Sequence, residues 1–115
     1  MAVGRSCAVR VFLDECVDWR LGRDILGQEV RTARQMGWTT IKNGELLALA
    51  AASFDVFITV DRNLSFQQNL SAHRIAILVL CARTYRLADL RLLVPKILET
   101  INVAQSGKAV LVEAD

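Results

Sequence analysis

A chain of 115 residues is one domain's length, and it buries roughly two thirds of its unfolded surface without needing a disulfide or a metal. Its 53% hydrophobic and 23% charged residues exclude a disordered chain. A net charge of +2 is too small for nonspecific coating of nucleic acid. Eleven of the fourteen basic residues are arginine, the side chain that grips phosphate bidentately, although codon bias produces the same skew.

The three cysteines, Cys7, Cys16 and Cys81, are odd in number and lack CxxC spacing. This argues against a disulfide framework or a thiolate zinc site and for a reducing compartment. Cys7 and Cys81 fall in apolar runs and read as core fillers. No stretch holds the ~18 uninterrupted apolar residues of a membrane span. The opening MAVGRSCAVRVFLDE lacks a signal peptide's apolar core. The expected location is the cytoplasm, with no membrane partner.

In chain order, residues 8–13 alternate as a strand, with Val9, Val11 and Leu13 on one side and Asp14 and Glu15 at its end. Residues 18–26 read as a helix closed near Gly27. A second strand is expected at 29–33, then a loop through Gly37, Trp38 and two threonines. Asn43 is an N-cap candidate for a helix reaching about Ala52, with Glu45 in its first turn. Residues 56–60 form an apolar run that predicts a strand buried on both faces. A short helix is expected at 64–70 and a fourth strand at 75–80.

The residues Leu87, Leu90, Val94, Ile97, Leu98 and Ile101 recur at helical spacing, with Pro95 opening the second half of that stretch. A closing strand follows at 109–113. The alternation predicts a single α/β domain over residues 1–115, a three-layer arrangement in which helices flank a mostly parallel sheet of about five strands.

Open α/β sheets bind ligands outside the carboxyl ends of their strands. Asp14 and Asp61 end strands there, and Glu45 opens a helix that starts at the same edge. The three are expected to converge. Clustered carboxylates repel, and a cation relieves that repulsion. With oxygen donors and one histidine the expected ion is Mg²⁺ or Mn²⁺, which polarises a phosphoryl oxygen and activates a water. Plainer readings stand beside each: Asp14 as a strand end, Glu45 as a match to the helix dipole, and Asp61 as a turn residue. Glu15 reads as a supporting neighbour of Asp14, and His73 as ordinary surface.

The segments VFLDECV, KNGELLALAA and FDVFITVDRNLSFQQNL, with a weaker stretch IAILVLCARTYRLADL, resemble the PIN-like domain family, in its branch of toxin nucleases from bacterial toxin–antitoxin systems. The resemblance implies a metal-dependent ribonuclease that hydrolyses RNA phosphodiesters. Asp14, Glu45 and Asp61 match the family's acids, and Thr59 falls where a hydroxyl stands near the metal. Asn63 occupies a position where many relatives carry aspartate. It offers a carbonyl oxygen to the metal but no charge, so a second ion binds more weakly.

Arg62, Lys42, Arg83 and Arg86 are the candidate phosphate contacts. A small antitoxin and a homodimer are the implied protein partners. Two competing readings remain. The first is a non-catalytic binding module of the same fold. The second is a receiver-like signalling domain, which needs a hydroxyl ending the fourth strand and a lysine ending the fifth.

Overall fold

The computed structural model describes residues 9–41, 43–61 and 73–113. Five strands form one sheet: β1 (Arg10–Leu13), β2 (Glu29–Thr32), β3 (Val56–Thr59), β4 (Ala76–Cys81) and β5 (Ala109–Glu113). Every pairing is parallel, and the order across the sheet is β2-β1-β3-β4-β5. The flanking helices are a 3-10 helix (Trp19–Arg23), α1 (Ala33–Met36), α2 (Asn43–Ser53), α3 (Leu87–Arg91) and α4 (Val94–Ile101). The result is the three-layer α/β architecture expected.

Strand alternation divides the core in two. Val11, Leu13, Val56, Ile58, Leu78, Leu80 and Val112 point to one face, where Leu21, Ile25, Leu90, Leu93, Ile97 and Ile101 cover them. Phe12, Phe57, Ile77 and Val79 point to the other, beneath Leu46, Leu47, Ala50 and Phe54 of the α2 region. Phe12 sits 5.3–5.4 Å from the rings of Phe57, Phe54 and Trp38, each pair adding about 0.5–1.5 kcal/mol beyond burial. The short 3-10 helix covers only part of the first face, and the stripe from α3 and α4 completes it. These two helices thus share the face of the 3-10 helix. The β4-to-β5 crossover therefore has the opposite hand to the β1-to-β2 and β2-to-β3 crossovers, although such connections are right-handed in about 98% of cases.

Two local expectations need correction. The helix over 18–26 is only a five-residue 3-10 helix, capped by Asp18, whose Oδ1 accepts the Arg20 N–H at 3.0 Å. Ala33 does not end β2 but starts α1, where Thr32 and Gln35 form a reciprocal capping box and Gly37 closes the helix at φ 74°. The apolar stretch from Leu87 is two helices, with Pro95 in the first turn of the second, as expected. The 64–70 helix lies outside the described residues. No helix among the described residues is long and apolar enough to cross a membrane.

The two sheet edges differ. β2 carries an exposed Glu29–Arg31 pair at 3.6 Å, the charged dressing that discourages further strand addition. β5 instead exposes Val110 and Leu111. Phe12→Ala is expected to cost about 3–5 kcal/mol in urea unfolding, because it opens a cavity under three rings. Leu111→Ala, at an exposed site, should stay within about 0.5 kcal/mol.

Candidate functional site

The strand order reverses direction between β1 and β3, which makes their carboxyl ends the switch point where such sheets hold ligands. Leu13 pairs with Ile58, and the Asp14 N–H continues that ladder onto the Ile58 carbonyl at 3.0 Å. Asp14 therefore stands beside Thr59, the last residue of β3. Both are buried: Asp14 is 9% exposed and Thr59 fully enclosed.

A buried hydroxyl in an otherwise apolar strand needs partners. The Thr59 Oγ1 donates to Asp14 Oδ2 at 2.8 Å and accepts the Asp61 N–H at 3.1 Å. Asp14 Oδ1 takes the Glu15 N–H at 2.9 Å, so both carboxylate oxygens are hydrogen-bonded and Oδ1 keeps a lone pair to spare. The Thr59 hydroxyl thus ties the first acid to the backbone of the second.

Cys16, absent from the sequence-based site, joins this group. Its Sγ lies 3.4 Å from Asp14 Oδ2 and 3.5 Å from Thr59 Oγ1. The residue as a whole is exposed, but its sulfur is turned into the cluster. Burial of the sulfur is the largest cause pushing the thiol up. Hydrogen bonds from Thr59 and the Val60 backbone pull it down, and the Asp14 charge adds to the rise. The thiol form thus persists to higher pH than in free cysteine.

Glu45 occupies the first turn of α2, as expected, but is exposed and makes no hydrogen bond or ion pair among the described residues. Among those residues, no three His, Cys, Asp or Glu side chains are grouped to hold a metal ion between them. Glu15 is exposed beside Asp14. Arg83 and Arg86 are exposed in the loop before α3. Asn63, Arg62 and Lys42 lie outside the described residues.

A cleft of about 1100 Å³ opens from Asp14 towards the ends of β1 and β2. Arg20, Arg23 and Arg34 line it, none of them among the arginines singled out from sequence. Their signal was available. Arg34 follows β2 directly, and Arg20 and Arg23 sit in the short crossover between β1 and β2 that starts at Asp14's edge of the sheet. Arg20 is committed to Asp18, its guanidinium reaching Oδ2 at 2.8 Å. That contact holds the Asp18 carboxyl below the usual carboxylate range.

Two measurements check this geometry. Thr59→Val removes one donor and one acceptor from a buried site, and unfolding should show a loss of about 1–3 kcal/mol that Thr59→Ser largely restores. Peptide-resolved alkylation should find Cys16 slower than a small free thiol at pH 8 despite its exposure, catching up only at higher pH. The raised thiol also contributes stability below the ordinary thiol range, lost as pH climbs through the folded value. Sequence likeness offers no second route to the site, since comparisons with protein-family models, with curated proteins and with solved structures find no match.

Proposed function

We propose that this chain is a Mg²⁺- or Mn²⁺-dependent endoribonuclease of the PIN-like, toxin–antitoxin type. One observation carries the reading. The buried Asp14 carboxylate is held by Thr59 at a topological switch point, next to Asp61 and beside an arginine-lined cleft.

The donor chemistry fits a hard cation. Asp14 and Asp61 end neighbouring parallel strands and offer oxygen, and Mg²⁺ commonly takes one or two carboxylates while water fills the rest of its shell. Asp14 and Asp61 would hold the ion, with Glu45 and Asn63 completing the proposed set. When bound, such an ion supplies polarisation of a phosphoryl oxygen and a water of lowered pKa. The chain's own groups do the rest. Thr59 fixes the rotamer of Asp14, and Arg23 and Arg34 offer cations to the scissile phosphate and its neighbours.

The unpaired Cys16 and Cys81 suit the reducing cytoplasm in which we place the protein. The apolar outer edge of β5 suits a strand-adding antitoxin or a second copy.

A non-catalytic binding module of the same fold is the second reading, motivated by Asn63 at a position where many relatives of the resembled family carry aspartate. The receiver reading gains the strand order, which is the doubly wound order of such domains. It loses the chemistry, since Cys81 and Glu113 end β4 and β5, in register, where a hydroxyl and a lysine are required.

Incubation of the purified chain with single-stranded RNA and Mn²⁺ should give cleavage that EDTA abolishes. Asp14→Asn and Asp61→Asn should each slow it by at least about 100-fold, about 2.7 kcal/mol in the barrier. A wild-type protein that retains RNA without cutting it under Mg²⁺ or Mn²⁺ establishes the binding-module reading instead.

A further inference from the structure

The cleft beside Asp14 carries chemistry that the proposed metal site does not use. Trp19 on the 3-10 helix and Tyr85 in the loop before α3 both line it, exposed at 52% and 53%. Phe12, Phe54, Phe57 and Trp38 are by contrast packed together under α2. Among the described residues, the aromatic rings thus sort into one core cluster and two half-exposed residues that share one cleft.

Both walls are held in place. The Arg23 guanidinium stacks over Trp19, 4.7 Å from the ring centroid, which orients the ring and sets a cation against it. The Thr84 hydroxyl donates to Asp89 and accepts the Arg86 N–H at 3.1 Å, fixing the loop that carries Tyr85. Arg91 Nε then ties α3 to Asp24 Oδ2, just after the 3-10 helix, at 2.8 Å. Arg34 supplies a second cation from α1. Neither Arg23 nor Arg34 has a carboxylate partner among the described residues, so both remain available to phosphate.

Rigid aromatic faces beside uncommitted arginines recognise unpaired bases on a phosphodiester chain, because every base has a face to stack and duplex bases have none to spare. The volume, about 1100 Å³, lies at or beyond the ~300–1,000 Å³ range of small-molecule pockets and suits a polymer segment.

We propose that this cleft binds single-stranded RNA, with bases stacked on Trp19 and Tyr85 and flanking phosphates on Arg23 and Arg34. The choice of RNA over DNA and the delivery of a phosphodiester to Asp14 rest on the nuclease reading; the binding of a single strand does not.

The test is fluorescence anisotropy of the full chain in EDTA with a 5′-labelled 12-nucleotide RNA, its duplex, and the same sequence as DNA. The single strand should bind at least tenfold tighter than the duplex, and RNA tighter than DNA. Trp19→Ala and Tyr85→Ala should each weaken binding by about 5- to 50-fold, while Trp19→Phe should change it by less than about threefold. The double variant Arg23→Ala/Arg34→Ala should flatten the log–log salt slope by about 1.4, or ~0.7 per lost phosphate contact.

Wild-type affinity in correctly folded Trp19→Ala and Tyr85→Ala variants, judged by circular dichroism, overturns the proposal. So does equal or tighter duplex binding, and tighter binding of DNA overturns the assignment to RNA. Parallel Mn²⁺ assays separate the two readings. Stacking-dependent binding without cleavage removes the nuclease and keeps the cleft. Cleavage unaffected by Trp19→Ala and Tyr85→Ala removes the cleft and keeps the nuclease.

Discussion

A single buried hydroxyl organises the functional edge of this protein. Thr59 ends a strand in which every residue is buried, and its hydroxyl is enclosed away from solvent. Its partners are therefore built into the fold: the Asp14 carboxylate from β1, the Asp61 N–H two residues on, and the nearby Cys16 sulfur. The same contacts orient Asp14 and fix the start of the chain beyond β3. A valine would have filled the space in this strand and left the acid without its donor. The hydroxyl is thus a feature of the site placed inside the core.

Much of this was legible in sequence because the strands announce themselves. The runs Val56–Thr59 and Ala76–Cys81 are apolar at every step but the last of each, or nearly so, as strands covered on both faces require. Acids at the ends of such runs must lie at one edge of a parallel sheet. What escaped was governed by local geometry. The capping box of Thr32 and Gln35 turned four residues after β2 into a helix, and the Asp18 cap made a tight 3-10 turn where a longer amphipathic helix was expected. Cys16 escaped because an exposed cysteine next to two acids has no pattern that distinguishes it. Only tertiary contact brings its sulfur against Thr59, 43 residues away.

The strand order and the residue chemistry point in different directions, and the difference is instructive. A doubly wound parallel sheet serves many activities, so order alone selects a place for a ligand and not a reaction. The residues at that place discriminate. The Asp14 carboxylate stands where β1 and β3 end, and arginines and aromatic rings line the cleft beside it. A phosphorylation-type relay would instead require groups at the ends of β4 and β5, which offer a thiol and a carboxylate.

The separation of Asp14 and Thr59, 45 residues in sequence, ties the site to folding. Neither segment can prearrange the other locally, because parallel strands meet only after a complete crossover has been laid down. The Asp14–Thr59 contact therefore comes into being only when β3 docks on β1. Partial unfolding that frays β5 or α4 can leave it standing, whereas loss of the β1–β3 ladder abolishes it at once. Occupancy of this contact is thus an all-or-none readout of the central pair of strands, and whatever binds there stabilises the middle of the sheet ahead of its margins.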